Sequence, residues 1–472
     1  MRGFSQLIAL IGLLLVLTRS ARAAENIGPG KVRQHHMRTT ANCLPSSASA
    51  QLDINNVRCL LHNGGDMWWD LTGSPRYEIP KVDDPALARY SAFAASLWIG
   101  GIDDDQNLRV AAQTYRQSGN DFFPGPLTRT GGVTQDVCNE WDKMFKINKS
   151  EIDDFRAAFT AAANGGAPLV MSNFPAVASW PAFGYDEYGR VSLAPFVDVD
   201  GNDEQYSPQA GDYPDIRPIE GGGEPDQAIW WVINDKGDVH TETGGLAIGL
   251  EIQMMAFAFS TSNAINDMTF YKYKVINKSG QNIHDTFMGQ WADVDLGYAK
   301  DDFVGCDTVR GLGYSYNADP EDESNLGGYG EHPPVFGIDF FQGPIDTNGQ
   351  RLGMTKFMYY DNKDGLTGNP EVATHYYGYL RGFWKDGSRV TAGGNGLHGA
   401  TPVDYMFPGD PGACGAASGW NELSEGNPAD DRRFILSAGP FYLQNGAQNE
   451  IITGAVWAQG SQNAQLGSLC EV

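Results

Sequence analysis

The stretch MTFYKYKVINKSGQNIHDTFMGQW, residues 268–291, indicates the fold class of this chain. Its first half alternates between two sets of side chains, with Thr269, Tyr271, Tyr273 and Val275 on one face and Phe270, Lys272, Lys274 and Ile276 on the other. A repeat of two residues is typical of a β-strand. The stretch is therefore predicted to form a β-hairpin.

Three further stretches follow the same pattern. They are ASLWIGGIDDDQNLRVAAQTY (95–115), AIWWVINDKGDVHTET (228–243) with a turn at 235–237, and DRRFILSAGPFYLQNGAQNEIITGAVWAQG (431–460) with a turn at Asn445-Gly446. Consecutive hairpins favour antiparallel sheets. The sequence thus predicts a mainly β protein with an antiparallel β-sandwich architecture.

A small helical insertion is predicted in the N-terminal half, near residues 136–163. In INKSEIDDFRAAFTAAANGGAP (147–168), Ser150 is placed as the helix cap and Asp153 as its capping-box partner. One apolar stripe follows at Ile152, Phe155, Phe159 and Ala162. A shorter helix is predicted around Val137 to Phe145.

The first 23 residues read as a secretory signal peptide. Arg2 supplies a positive start, LIALIGLLLVL is a short apolar run, and ARA ends at Ala23 as a cleavage site. An uncleaved membrane anchor is the alternative, but the run is short for a membrane helix. We expect a soluble exported protein, in the medium or at the bacterial cell surface.

The charge balance bears on the partners of the chain. The sequence has 33 basic and 58 acidic side chains, a net charge of -25, and the signal removes only arginines. Such a surface disfavours nucleic acid and anionic membranes, and no membrane insertion is expected. The same charge attracts cations.

The domain organisation is predicted from composition. The Gly- and Pro-rich stretch 217–225 divides residues 24–225, a mixed β part with the helices, from residues 226–472, a β-sandwich part. One continuous domain is the alternative.

Six cysteines in an exported chain permit three disulfides. Cys43 and Cys59 are the nearest pair in sequence and are predicted to bond. Free buried thiols are the alternative.

The first acidic cluster lies in FVDVDGNDEQYSPQAGDYPDI, residues 196–216. Asp198, Asp200 and Asn202 are spaced so that a curled loop can aim every second oxygen at one centre, with Glu204 and Asp212 completing the ligands. Two carboxylates about 5 Å apart repel by roughly 3 kcal/mol at an effective dielectric of 20. The cluster predicts bound calcium, although the EF-hand template is not met. The alternative is an acidic surface turn that binds nothing.

A second acidic cluster lies in WADVDLGYAKDDFVGCD, residues 291–307. Asp293 and Asp295 share a side of an extended chain, and a turn at Gly297 is expected to return Asp301 or Asp302 toward them. This cluster also predicts calcium, since flanking aromatic residues suggest burial, where unpaired charge is costly. The acidic run that follows, 317–334, is predicted to be a solvated loop.

Catalytic signals are weak. The chain has no H-E-x-x-H, G-x-S-x-G or Walker motif. His240 and Glu242 can form half of a metal site, but an ordinary hydrogen-bonded pair is the simpler interpretation. Paired acids and tryptophans are compatible with glycosidase chemistry without being specific for it.

Four stretches together carry a family resemblance. They are SLWIGGIDDDQNLRVAAQTYRQSGNDFFPGPL (96–127), INDMTFYKYKVINKS (265–279), GQWADVDLGYAKDDFVGCDTVRGLGYSYNAD (289–319) and DRRFILSAGPFYL (431–443). They resemble large secreted proteins of Bacteroidota that commonly end in a type IX secretion sorting domain. The resemblance implies export from a Gram-negative bacterium and supplies no catalytic residue. The sorting domain does not follow residue 460, so a fragment or a different export route is expected.

These observations lead to one functional expectation and one rival. We expect a non-enzymatic, calcium-braced extracellular β protein that acts as a binding or structural module for an unidentified glycan or protein ligand. The rival is a secreted hydrolase that acts on polysaccharide.

Overall fold

Burial along residues 269–277 alternates as the opening stretch predicts. Thr269, Tyr271, Tyr273 and Val275 are buried, and the residues between them are half-buried. The computed structural model describes residues 41–412 and 418–460. The predicted signal peptide, Cys414 and Cys470 lie outside the described residues.

The described chain is mainly β. In chain order the strands are β1 (Ser49–Leu52), β2 (Arg58–His62), β3 (Asp66–Met67), β4 (Tyr77–Glu78), β5 (Tyr90–Ala92), β6 (Ala94–Asp103), β7 (Leu108–Ala111), β8 (Phe123–Pro124), β9 (Phe145–Asn148), β10 (Phe183–Asp186), β11 (Gly189–Ser192), β12 (Phe196–Val197), β13 (Tyr213–Pro214), β14 (Gln227–Asn234), β15 (Leu250–Ala258), β16 (Thr269–Asn277), β17 (Ile283–Asp293), β18 (Asp302–Asp307), β19 (Leu312–Asn317), β20 (Val335–Gln342), β21 (Lys356–Asp361), β22 (Arg432–Leu443) and β23 (Gln448–Ala458). The α-helices are α1 (Gln135–Glu140), α2 (Lys149–Ala163), α3 (Pro175–Ala178), α4 (Ala373–Leu380) and α5 (Glu422–Glu425). Short 3-10 helices occupy Pro85–Leu87, Met171–Asn173, Pro208–Ala210, Ala264–Asp267 and Ser324–Leu326.

Two large antiparallel sheets contain most of these strands. The first sheet has the order β21-β22-β17-β6-β3-β2-β4-β5, with β1 beside β2 and β7 beside β6. The second has the order β18-β19-β20-β23-β16-β15-β14-β8, with β9 also beside β14. Both sheets combine strands from before and after residue 225.

The sheets pack against each other, which confirms the predicted fold class. Leu97 and Met288 of the first sheet share one buried cluster with Trp231 and Tyr273 of the second. The Tyr273 hydroxyl donates a hydrogen bond across this core to Gln290 Oε1 at 2.7 Å. Aromatic burial on this scale is the main source of stability in such a core.

Helices cover the outer faces of the sheets. Ile152 and Phe155 of α2 join Trp230 in a second buried cluster on the second sheet. On the first sheet, the Tyr376 ring of α4 lies 4.8 Å from the Trp98 ring. Within the ranges that the structure describes, no helix has the length and apolar character needed to cross a membrane.

The hairpin predicted for residues 268–291 is wrong, because its two strands lie in different sheets. β16 pairs with β15 and β23, whereas β17 pairs with β6 and β22. The turn at Asn445-Gly446 likewise leads from β22 in the first sheet to β23 in the second. A polar connection between two alternating strands looks the same in sequence whether the chain turns back or crosses to another sheet.

Of the other two predicted hairpins, one is confirmed and one is wrong in part. The hairpin at 95–115 is confirmed, with β6 paired to β7 in a register that sets Ile102 opposite Leu108. The hairpin at 228–243 is wrong in its second arm, because the partner of β14 is β15, which begins at Leu250.

Two segments cross between the sheets, residues 278–282 and residues 444–447. Asn277 forms hydrogen bonds that join them. Its backbone N–H donates to Ala447 O at 2.9 Å, and its carbonyl accepts from Gly446 N–H at 2.8 Å. Its side-chain amide donates to Gln281 O at 2.9 Å and to Leu443 O at 3.0 Å. Asn277 is fully buried.

Replacing Asn277 with alanine should lower the free energy of unfolding by about 1–3 kcal/mol, because the buried Leu443 carbonyl loses this donor, whereas Gln281 O still accepts from the Ser279 hydroxyl. Equilibrium urea denaturation measures this change. Asn348→Ala is the matched control, since Asn348 is exposed in a surface turn, and it should change stability little. Equal losses in the two variants would show that the crossing contributes no special stability.

The helix at 150–163 is confirmed with an earlier start. Helix α2 begins at Lys149, and its cap is Asn148, whose backbone N–H donates to the Glu151 carboxylate at 3.0 Å. Ser150 and Asp153 are therefore not the capping pair. Because β9 extends to Asn148, the helix starts directly at the end of a paired strand.

The shorter predicted helix is only partly present. Helix α1 ends at Glu140, and Phe145 begins β9 opposite Trp230 of β14. Pairing with a neighbouring strand overrides the local helical pattern here.

The predicted disulfide is also wrong. Cys43 bonds Cys138 of α1, with the two Cα atoms 5.9 Å apart. Cys59 lies in β2 as a buried free thiol against the Tyr271 hydroxyl, and Cys306 is a second buried free thiol. Strand β1 lies between Cys43 and Cys59 in sequence and pairs with β2, which contains Cys59. The two cysteines are therefore near in sequence but not in contact.

Candidate metal centres

The structure brings three of the predicted ligands of the first acidic cluster together. One carboxylate oxygen from each of Asp198, Asp200 and Asp212 lies within 4.8 Å of the others. We call these residues the loop group. Asp198 Oδ1 accepts from the N–H groups of Gly201 at 2.8 Å and Asn202 at 3.2 Å, and Asp200 Oδ1 accepts from Asn202 N–H at 2.8 Å.

The remaining predicted residues of this stretch have other roles. The buried Asp212 carboxylate accepts from Val199 N–H at 2.9 Å and Ser207 N–H at 2.8 Å. Glu204 is exposed and lies outside the group, and Asn202 contributes its backbone N–H. Local backbone donors therefore already meet much of the acceptor demand of the loop group.

The second acidic cluster divides between two partly buried centres. The first centre consists of Asp293 at the end of β17, Asp295 two residues later, and Asp431 immediately before β22. One oxygen from each lies within 4.8 Å of the others. Asp431 was not predicted. It arrives because β17 and β22 pair in a register that sets Asp293 opposite Arg433.

A single arginine partly neutralises the first centre. Arg433 donates to Asp293 Oδ2 at 3.1 Å and also bonds Asp431, and the Tyr115 hydroxyl donates to the same Asp293 oxygen at 2.6 Å. Asp293 Oδ1 and Asp295 Oδ1 are buried with no hydrogen-bond partner.

The pKa values of the first centre reflect this imbalance. Burial raises the pKa of Asp293 to about 6, even though Arg433 opposes the shift. Burial, followed by repulsion from Asp293, raises the pKa of Asp295 well above its ordinary value. Three carboxylates facing one guanidinium leave an excess of negative charge.

The second centre consists of Asp301, Asp322 and Glu323, again with one oxygen from each within 4.8 Å of the others. Asp301 directly precedes β18, and the other two come from the loop between β19 and β20. Asp301 is therefore not returned to Asp293 and Asp295 as expected. The run 317–334 is not simply a solvated loop, because Asp322 is fully buried.

Asp301 is the most poorly satisfied residue of the second centre. It is 8% exposed, yet neither of its oxygens has a hydrogen-bond partner. Glu323 Oε2 is also buried without a partner. Burial raises the pKa of Asp301, and the nearby Asp322 and Glu323 raise it further.

The Asp322 carboxylate is held in a tight backbone cradle. It accepts from Tyr298 N–H at 2.9 Å and Tyr329 N–H at 2.6 Å. A Cβ atom at Gly297 or Gly328 would lie 2.0 Å from one of its oxygens, and Gly297 has φ +72°. Burial raises the pKa of Asp322 to about 6. Glycine is thus required at Gly297 for both space and conformation.

Asp302, the last predicted ligand, belongs to neither group of three. Its Oδ2 accepts from Leu296 N–H at 3.1 Å, and its fully buried Oδ1 has no partner. Burial, followed by repulsion from Asp301, raises its pKa well above the ordinary value.

The chemistry of these centres favours a hard cation. Each pair of unit charges at such separations repels by about 3 kcal/mol at an effective dielectric of about 20. Buried carboxylates are normally paired, hydrogen-bonded or bound to a metal. The donors in all three groups are carboxylate oxygens, which suit Ca²⁺, Mg²⁺ or Mn²⁺ rather than softer metals. These groups can hold a metal ion.

His240 and Glu242 do not meet as a metal pair. The His240 ring nitrogens lie 2.8 Å from Val110 O and 2.8 Å from Asp235 O. Glu242 Oε1 accepts from the hydroxyls of Thr114 and Tyr376 instead.

No protein-family model matches the chain, and no curated protein matches it.

Proposed function

We propose that this chain is an exported, non-enzymatic extracellular module whose loops are braced by calcium at the first and second centres, and which binds a glycan or protein ligand. The observation that carries the proposal is the pair of unpartnered oxygens of buried Asp301 beside Asp322 and Glu323. Without a cation, this arrangement combines desolvation with mutual repulsion.

Calcium is favoured over other hard cations. It accepts six to eight oxygen ligands in flexible geometry, whereas magnesium demands a near-ideal octahedron and dehydrates reluctantly. The Cys43–Cys138 disulfide supports an oxidising, extracellular setting, as does the predicted signal peptide.

The geometry supports ion binding at these residues better than sugar hydrolysis. A glycosidase sets two carboxyl groups about 5–10 Å apart across an open cleft that admits a sugar. The first and second centres hold their acids closer together, with Asp293, Asp301 and Asp322 buried and the other three half-buried. Their shape therefore suits an ion.

Calcium should raise the melting temperature by about 3 °C on going from excess EGTA to 1 mM calcium. This estimate assumes two sites with an affinity of about 0.1 mM, each adding about 1.4 kcal/mol. Scanning calorimetry gives the shift, and equilibrium dialysis against 1 mM calcium counts the bound metal.

Substitutions of individual ligands test whether calcium binds at the first and second centres. Asp301→Asn and Asp295→Asn should each bind one calcium fewer than the wild type. Asp346→Asn is the matched control, since Asp346 is a partly exposed turn residue that accepts from Asn348 N–H, and it should bind the full number. A wild type that retains no calcium, or equal counts in all variants, would refute the calcium sites.

The non-enzymatic part of the proposal has its own test. The calcium-loaded protein is incubated with a panel of polysaccharides, and the products are analysed. Binding without turnover supports a binding module. Turnover that disappears when one Asp or Glu is changed to Ala would instead establish the hydrolase.

A further inference from the structure

The first and second centres share one short segment of chain. Asp293 ends β17, Asp302 begins β18, and residues 294–301 connect them. This segment supplies Asp295 to the first centre and Asp301 to the second. An ion at either centre therefore restrains the same eight residues.

Asp302 links the two centres physically. Its side chain accepts from Leu296 N–H within the segment, and its backbone carbonyl accepts from Asp430 N–H, adjacent to Asp431, at 3.3 Å. Its carboxylate interacts electrostatically with Asp301 in one centre and with Asp295 in the other. Its Oδ1 is buried and unpartnered, so it has an acceptor position to offer toward an ion.

Both centres carry an excess of negative charge close to Asp302. Seven carboxylates lie in or beside the two centres: Asp293, Asp295, Asp301, Asp302, Asp322, Glu323 and Asp431. Arg433 pairs directly with Asp293, while Lys300 acts on Asp295 and Arg89 on Asp322 from further away, so negative charge remains in excess. One divalent ion reduces the repulsion among these carboxylates. It thereby restrains the shared segment, residues 294–301. The second ion then binds to a segment that is already ordered, which gives positive coupling.

We infer that the two centres form one cooperative two-ion unit, joined through residues 294–302 with Asp302 as the link. This inference rests on the proposed function, because it requires calcium at both centres. Direct repulsion between the two ions opposes the coupling, and the Asp302 carboxylate offsets that repulsion.

Calcium titration of the metal-free wild type by isothermal calorimetry tests the coupling. We expect two ions to bind with a Hill coefficient above 1. Protection of Lys300 from trypsin provides a second measurement on the unmodified protein, since this exposed residue lies in the shared segment. Its protection should rise in the same steep calcium range.

Two variants test reciprocity. Asp431→Asn removes a ligand of the first centre, and Glu323→Gln removes one of the second. Each should retain one ion with affinity about 10-fold weaker than the wild-type average, since typical coupling is about 5- to 150-fold and acts equally in both directions. Asp346→Asn should leave the titration unchanged.

The possible results separate the two claims. A Hill coefficient of 1, with unchanged affinity at the remaining site in both variants, would overturn the cooperative unit and leave the calcium sites intact. No calcium binding by the wild type would overturn both. Steep wild-type binding with matched losses in the two variants would support the inference.

Discussion

Arg433→Met should lower the free energy of unfolding by about 3–5 kcal/mol in calcium-free buffer. The guanidinium is nearly fully buried and bonds Asp293 and Asp431. Methionine has similar length but no charge, so the variant leaves Asp293 and Asp431 without the cation that bonds them. Urea denaturation in EGTA measures the loss.

Calcium should reduce this loss, because an ion at the first centre replaces part of the missing positive charge. The matched control is Arg310→Met, which removes a largely exposed arginine that pairs with Asp307. That variant should change stability by less than about 1 kcal/mol. If the two substitutions cost the same, the first centre is not the strained arrangement described above.

His240→Phe should cost about 3–5 kcal/mol at pH 6. A neutral imidazole donates only one hydrogen bond, but both ring nitrogens of His240 face backbone carbonyls, so the native ring is an imidazolium. Its side chain is fully buried, with Asp121 3.5 Å from one nitrogen and Asp235 3.7 Å from the other. Phenylalanine leaves both carbonyls and Asp121 without this partner.

The cost of this substitution should fall as the pH rises. Burial lowers the pKa of His240, but attraction to Asp121 and Asp235 and the two carbonyls outweigh it, so the pKa is raised overall. The charged ring therefore contributes its full stability below about pH 6.5, the ordinary pKa. That contribution is lost as the pH rises through the raised native pKa.

Urea denaturation of the wild type and His240→Phe at pH 6 and pH 9, in constant calcium, measures the change. His284→Phe is the control, because His284 is partly exposed on the surface. Because its pair with Asp104 is exposed to solvent, the effect of this control on stability should be small at both pH values. A His240→Phe cost that is equal at both pH values would contradict the buried imidazolium.

Local sequence pattern predicted the strands but not all of their partners. The alternation from Thr269 to Val275 identifies a strand with one buried face, and the structure confirms it. Which sheet the following strand joins depends on contacts with β6 and β22, which lie far away in sequence. A sequence pattern within about 20 residues therefore cannot predict those contacts.

The same limit applies to the candidate centres. Asp293, Asp295 and Asp301 stand out because they cluster within a few residues. Asp431 is carried to the first centre by strand pairing, and Asp322 to the second by a loop held against Gly297 and Gly328. Carboxylate spacing along the chain thus identified the region, while long-range pairing selected the ligand sets.

The strands made last occupy interior positions in both sheets. β22 lies between β21 and β17, and β23 lies between β20 and β16. During synthesis, the first sheet cannot be completed until residue 443, where β22 ends, has been made, and the second sheet cannot be completed until residue 458, where β23 ends. Such non-local pairing favours slow folding. The nascent polypeptide therefore stays incompletely folded for nearly its whole passage through translation, with unpaired strand edges available to chaperones.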